Sequence, residues 1–318
     1  MHWPTPQGKV VIAGGSGFLG SSLAHHLHAK GCEVVVLSRR SSGPPPARFA
    51  QWDARNLADW HPELDNASAL VNLTGRTVDC IKTPAHKEEI LRSRVDSTTV
   101  LGRALRAIDN PPPVWVQMST AHIYGDPPSA ICDESSPIGE GFAPTVGTAW
   151  EAAFNDAIPD NIRPVILRPT FVLGRRGGAL SRLRKLARLG LGGKIGHGKQ
   201  GISWIHEADM NRIFERAIAD HTMRGTYIAT APNPVSNAQF MRTLRKAIGM
   251  PVGLPAPAFM VKIGAPLLLR TDPELAIFGR YCVSKRLKDE GFEFTFPALD
   301  GAISNLMRKS PPQDGASS

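Results

Sequence analysis

The residues best suited to chemistry stand close to the N-terminus. Gly14, Gly15, Gly17 and Gly20 lie within KVVIAGGSGFLG, residues 9–20, with Ser16, Phe18 and Leu19 between them. The spacing fits both GxGxxG (Gly15, Gly17, Gly20) and GxxGxxG (Gly14, Gly17, Gly20). Glycines permit a tight turn and let the main chain approach an anion. A helix starting behind them adds free N–H groups and a partial positive charge. The chemistry expected of the stretch is capture of a dinucleotide's pyrophosphate. About 20 residues further on, where the adenosine ribose of such a ligand would lie, the chain reads Ser38, Arg39, Arg40. A carboxylate there would hold the 2′-hydroxyl of NAD. A serine and two guanidiniums suit the 2′-phosphate of NADP, so NADP (NADPH) is expected in preference to NAD.

These groups need strands and helices to hold them. Val10–Ala13 read as a buried strand, and Leu19, Leu23 and Leu27 recur at helical spacing. Glu33–Leu37 make a second strand that delivers Ser38. Beyond the proline loop 43–46, a short strand around Phe49–Trp52 leads into Asp53. Ala69–Leu73 form another strand, closing on Thr74 and Gly75, a second loop able to line a cofactor. A long helix over Ala85–Ile108 aligns Leu91, Val95, Leu101, Leu105 and Ile108 and stops before Pro111–Pro113. Val114–Met118 then lead into Ser119, Thr120, His122 and Tyr124. Residues 127–144 read as a loop able to cover a site. A helix over Thr148–Ala157 and a strand over Pro164–Leu167 continue the alternation, which implies an α/β fold with a doubly wound parallel sheet. Further on come a basic helix (Ala179–Leu189), a strand (Ser203–Ile205), a helix (Glu207–Ala219) and a strand (Thr226–Ala229). The expected division is a Rossmann domain over 1–174 to which 203–230 return. A smaller C-terminal substrate lobe takes 175–202 and 231–310, before a disordered polar tail, 311–318.

The 318 residues, 42% hydrophobic and 20% charged, suit a globular chain with a full core. No apolar run approaches the ~20 residues needed to span a bilayer, and MHWPTPQGK lacks a secretory pattern. Cys32, Cys80, Cys132 and Cys282 show no CxxC or metal spacing and fit free thiols in a reducing cytoplasm. Membrane and metal are therefore not expected. Of the net charge of +9, most comes from Arg175–His206, which holds eight Lys/Arg and no Asp or Glu. No nucleic-acid motif or aromatic platform accompanies it, so nucleic acid is not expected either. Arg175, Arg176, Arg182, Lys185 and Lys199 could read an anionic small molecule, or Arg182, Lys185 and Arg188 could form a solvated helix stripe. His25, His26 and His28 read as a surface cluster without carboxylate partners.

Five segments occur in order: GGSGFLG (14–20), KEEILRSRV (87–95), IYGD (123–126), RLGLGGKIGHGKQGISWIHEADM (188–210) and SKRLKDEGFEF (284–294). With them, residues 8–307 resemble the extended short-chain dehydrogenase/reductases, the NAD(P)-dependent epimerase/dehydratase fold. More closely, the chain resembles the epimerase-family branch of atypical members with a small C-terminal domain. The resemblance implies a nicotinamide cofactor and assigns roles by position. Asp53 would contact adenine, and Leu73, Thr74 and Gly75 would lie beside the pyrophosphate and nicotinamide ribose. Thr120 would hydrogen-bond a substrate oxygen. Arg168, Pro169 and Phe171 belong to the segment passing the nicotinamide, and Trp204, His206 and Asp209 border the substrate lobe.

The superfamily's working pair, the tyrosine and lysine of YxxxK, is missing. Its expected place around Ala143–Gly147 reads FAPTVGTAWE, and Glu88–Arg184 contains no lysine and one tyrosine, Tyr124. Arg94 stands where the superfamily usually has an asparagine that supports the proton relay. Tyr124 then becomes the first candidate acid or base, with Arg94 as a source of a depressed pKa, or else a substrate-binding or packed residue. His122 is a second candidate. His206 reads as structural, and Asp126 and Glu134 as solvated loop carboxylates. Three readings stay open: hydride transfer with NADP on a carbonyl or hydroxyl of an anionic small molecule, an NADP(H)-binding sensor without turnover, and a nucleotide-sugar epimerase or dehydratase. A homodimer is compatible with each.

Overall fold

The computed structural model describes residues 3–127, 130–175 and 177–308; Arg176 and the tail expected at 311–318 lie outside the described residues. One sheet holds β1 (Lys9–Ala13), β2 (Glu33–Ser38), β3 (Arg48–Gln51), β4 (Ala69–Asn72), β5 (Val114–Met118), β6 (Arg163–Pro169) and β7 (Gly225–Ala229). Their order is β7-β6-β5-β4-β1-β2-β3, and every pairing is parallel. Both faces are covered, which is why the strands read as continuous apolar runs. Val10 and Ile12 pack with Leu23 and Leu27 of α1 (Phe18–Ala29) and Ile213 and Phe214 of α5 (Glu207–Ala219). Val11 and Ala13 face the other way, toward Leu101 and Leu105 of α2 (Pro84–Arg106) and Phe154 of α3 (Phe142–Ala157). The register sets Ala13 beside both Leu37 and Asn72, so the loops after β1, β2 and β4 emerge at one edge.

α2 starts where Thr83 Oγ1 accepts from His86 N, with Pro84 in the first turn. α3 begins at Phe142, six residues before the expected Thr148, because Gly141 (φ +107°) turns the chain directly into it. Pro144 falls in the first turn, where a missing N–H costs nothing. The expected loop 127–144 is shortened accordingly. Ile131–Cys132 of that loop pairs in parallel with Tyr281–Cys282.

Glu134 is not the solvated carboxylate expected. It accepts from Ile228 N (3.0 Å), Ser284 Oγ (2.8 Å) and Lys285 N (3.0 Å), tying the loop to β7 and to the helix Lys285–Asp289. Arg286 of that helix donates to the carbonyls of Arg224 (2.9 Å) and Thr226 (3.0 Å) and lies 3.8 Å from the Tyr227 ring centroid. His26 is likewise not a free surface histidine. Its Nε2 lies 2.7 Å from Glu215 on α5, which Lys30 also approaches (3.2 Å).

A second core joins α4 (Gly178–Arg188), α6 (Asn237–Ala247) and the helix Leu299–Met307 through Leu180, Phe240, Leu244, Ile303 and Leu306. The WIHxxD segment clamps it to the sheet. His206 caps α5, its Nδ1 accepting from Ala208 N (3.0 Å), and stacks on Phe296 at 3.9 Å. Burial pushes His206 down to about 4, so it stays the neutral acceptor that a cap needs. Asp209, fully buried, accepts from Thr295 N (2.7 Å) and Phe296 N (2.9 Å). Among the described residues no helix is long and apolar enough to cross a membrane and no cluster of side chains could hold a metal. Cys32, Cys132 and Cys282 are buried free thiols; Cys80 is half-buried and free. Asp209→Ala strands two amides inside the core, and we expect a loss of about 3 kcal/mol, read as a lowered urea midpoint at unchanged m.

Candidate functional site

Strand order reverses between β1 and β4, and the crevice outside their carboxyl ends is where this topology takes a ligand. Four loops converge there, after β1, β2, β4 and β5. In the first, packing forbids a side chain at three glycines. A Cβ on Gly14 (φ +73°) would lie 2.8 Å from Thr74 Cα, on Gly15 2.9 Å from Val36 Cγ2, and on Gly20 2.3 Å from Gly15 Cα. Gly17 differs, for beyond its two chain neighbours no described atom lies within 4 Å of where its Cβ would be. It also begins α1 without a side-chain cap, so the first amides of the helix have no internal acceptor. Ser16 is exposed beside it. Thr74 Oγ1, against Gly14, is buried without a hydrogen-bond partner among the described residues. These are the features of an anion cradle. The side chains of Phe18 and Leu19 serve packing instead: Phe18 lies against Gly174 and Gly177, and Leu19 against the main core.

At the tip of β2, Ser38 is buried, and its Oγ accepts from Arg40 N (3.2 Å). Arg39 and Arg40 are exposed, and among the described residues neither forms an ion pair. The Asp53 carboxylate accepts from Arg55 N, Asn56 N and Asn56 Nδ2 (2.9, 2.9 and 2.7 Å) and is thereby held below its usual range. It folds its own loop while staying exposed to solvent. After β4, Leu73 N donates to Ala13 O (2.8 Å), and Gly75 packs so tightly on Arg94 that a Cβ would lie 2.9 Å from the guanidinium carbon.

Arg94 therefore supports the 73–75 loop from below. Its Nη1 donates to the carbonyls of Arg76 (3.1 Å) and Ile90 (2.9 Å), its guanidinium sits 5.0 Å from the Trp150 ring, and burial pushes it down to about 10. The pairing of Arg94 with Tyr124 is overturned, because the arginine on Tyr124 is Arg168. Arg168 Nη1 donates to Tyr124 Oη (2.8 Å), while Nε and Nη2 bind the two Glu151 oxygens (2.8 and 2.7 Å). Ser119 Oγ donates to the same carboxylate at 2.5 Å. Burial alone would lower Arg168, but Glu151 holds it above its ordinary value. Tyr124 is 3% exposed among Ile123, Cys132 and Cys282. Burial pushes its phenol up to about 12, with Arg168 offsetting only part, so the expected depression is reversed. His122 moves the other way. Burial, with Arg280 and Lys82 nearby, pushes it down to about 3, so it does not titrate near neutrality.

Thr120 is half-buried at the end of β5. Its Oγ1 accepts from His122 N (3.1 Å), leaving the hydroxyl proton available. Phe171, past β6, packs on Phe240 (centroids 5.7 Å apart), toward the second core rather than into the crevice. The basic stretch is partly engaged as well. Arg175 donates from its amide to Glu207 (2.9 Å) and from Nη2 to Asn305 O (2.8 Å), and Arg182 pairs with Asp79 (2.5 Å). Lys185 and Lys199 stay exposed. Sequence reasoning missed Glu151, Ser119 and Asn72. Asn72 donates to Gln117 Oε1 (3.1 Å) and Thr98 Oγ1 (3.2 Å) and accepts from Thr74 N (3.0 Å). The available signal was the acid beside Trp150 in the helix expected over Thr148–Ala157, just past the place of the missing Tyr–Lys pair.

An alkaline titration followed by tyrosinate absorbance checks this arrangement. Tyr124 and Tyr227 should both ionise at about 12 rather than at 10.0. Their folded values are raised, so the stability they contribute is complete below 10.0 and is lost as pH climbs toward about 12.

The family model for the NAD dependent epimerase/dehydratase family matches residues 10–227, and that for a domain of unknown function, DUF1731, matches residues 256–306. The chain is 32% identical over 307 residues to the human epimerase family protein SDR39U1, covering 94% of this chain and 99% of the human protein. It is 30% identical over 304 residues to the Bacillus subtilis epimerase family protein YfhF, covering 94% and 98%. The crystal structure of human SDR39U1 (isoform 2) with NADPH superposes with a TM-score of 0.84 at 31% identity, over 94% of this chain and 99% of that one. A UDP-N-acetylglucosamine 4-epimerase from Bacillus cereus, 18% identical, shares the fold with a TM-score of 0.73 over 94% and 98%. On these matches the chain belongs to the NAD dependent epimerase/dehydratase family, in a two-domain form that ends in a DUF1731 domain.

Proposed function

We propose that the chain binds NADPH and transfers hydride to or from a carbonyl or hydroxyl carbon of a small anionic molecule. The carrying observation is the exposed pair Arg39 and Arg40 at the β2 tip, where no carboxylate stands, beside the open Gly17 cradle. The NADPH in the crystal structure of human SDR39U1 supports the same reading. The amides that open α1 and the unpartnered Thr74 Oγ1 would hold the pyrophosphate, and Arg39 and Arg40 the 2′-phosphate. Bound there, the cofactor would supply the hydride as NADPH or accept it as NADP+. Thr120 donates to the substrate oxygen, and Arg94 keeps the 73–75 loop in place. Ser119, Glu151, Arg168 and Tyr124 form a fixed bonded chain behind that oxygen site. Among the described residues no side chain replaces the missing tyrosine as acid, so in the reducing direction water would supply the balancing proton.

Arg280 supports an anionic substrate better than the basic stretch does. It is half-buried, its Nε on the carbonyl of Gly125 (2.5 Å), next to the turn that carries Thr120 and Tyr124. A second reading, binding without turnover, is favoured by the sealed Tyr124. The free thiols support a cytoplasmic setting.

NADPH should bind about tenfold or more tightly than NADH, and Arg39→Ala should remove that preference; equal affinities by fluorescence titration would sink the assignment. Gly17→Ala should weaken NADPH binding while leaving Tm in place, because its Cβ meets no described atom beyond its chain neighbours. Consumption of NADPH with a panel of carbonyl acids separates the two readings: turnover that Thr120→Val abolishes supports the reductase, and tight binding without turnover supports the sensor.

A further inference from the structure

Eight of the fifteen large apolar side chains left exposed among the described residues come from two short stretches, 189–191 and 252–267. Main-chain bonds join the two: Leu254 N donates to Gly190 O (2.8 Å) and Ala256 N to Lys194 O (2.9 Å). From there the chain enters α7 (Ala258–Gly264), which continues as one π turn, Ala265–Leu269. α7 buries none of its residues, although its sequence, AFMVKIG, carries a single charge. Phe259 and Ile263, one turn apart, are 66% and 61% exposed, and Leu189 and Leu267 each 74%. An apolar helix lying uncovered on a surface marks the place of a partner.

Charge identifies that partner. Residues 178–206 hold six Lys/Arg and no Asp or Glu, and residues 250–271 hold Lys262 and Arg270, again with no acid. Arg188 adjoins Leu189, Lys194 adjoins the start of α7 through its bonded carbonyl, and Lys262 precedes Ile263; all three are exposed. The next acid along the chain, Asp272, is held by Lys82 at 2.7 Å. A second copy of the chain would press one basic rim against another. Residues 309–318 contain no large apolar side chain that could cover the patch.

We propose that this face rests on an anionic lipid bilayer. Phe259, Ile263, Leu267 and Leu189 enter the headgroup layer, and Arg188, Lys194 and Lys262 meet lipid phosphates. Such docking is peripheral and needs no spanning segment. It is independent of the NADPH reading.

The test is flotation of the full chain with vesicles of phosphatidylcholine alone or with about 30% phosphatidylglycerol, at about 0.1 M salt. Binding to the anionic vesicles should exceed binding to the neutral ones about tenfold, and Phe259→Ser with Ile263→Ser should lower it about tenfold. Lys194→Glu with Lys262→Glu should do the same. Each double variant must keep the wild-type Tm and NADPH affinity; where one does not, Leu189→Ser interrogates the same face. Absence of anionic-vesicle binding, or binding that survives the loss of Phe259 and Ile263, overturns the proposal. A dimer in sedimentation velocity that the same substitutions abolish also overturns it and gives the face to a second copy.

Discussion

Everything at the crevice depends on how closely α1 approaches β1. Gly20 on the helix touches Gly15 in the loop with no room for a methyl group, and Gly14 meets the backbone of Thr74 on the neighbouring loop. Close packing inside proteins leaves little slack for extra atoms. A side chain at any of these three positions would push the helix start away from the strand ends, and the fan of amides around Gly17 would lose its common focus. Gly17 is the informative exception, because only there is the missing side chain not demanded by the protein itself.

Behind that cradle lies a second layer of polar groups. Asn72, Gln117, Thr98 and Trp150 are bonded to one another beneath the 73–75 loop, with Arg94 stacked on Trp150. Ser119, Glu151, Arg168 and Tyr124 form the matching set beneath the β5 end. Fully satisfied buried networks hold their members in one geometry. In this chain the region beside the expected place of a Tyr–Lys pair is instead a stiff, charge-compensated floor. Tyr124 belongs to that floor: its phenol is sealed by apolar neighbours and by Arg168, so it shapes the site without exchanging protons near neutral pH.

Much of this was legible in the residues themselves. The alternation of apolar runs and helical periods marked all seven sheet strands, and Glu207–Ala219 was read to the residue, because burial on both faces writes a strong pattern. The start of α3 was not, since Pro144 looks like a breaker until its place in the first turn is known. Pairings across the fold were also out of reach. Arg94 and Arg168 are equivalent as letters, and only packing reveals that one lies on Trp150 and the other on Glu151 and Tyr124. Glu134 and Arg182 read as free charges because their partners are backbone amides or residues far along the chain.

The contacts of Glu134 and Arg286 reach beyond the loops they join. β7 is an outer strand of the sheet, and one of its sides would otherwise present bare N–H and C=O groups to any extended chain. Glu134 takes the amide of Ile228, and Arg286 takes the carbonyls of Arg224 and Thr226. The margin is thus closed by side chains that come from two distant segments. Sheet growth by edge-to-edge addition is blocked there, and fibrillar association of the folded monomer through β7 would first require both of those clasps to open.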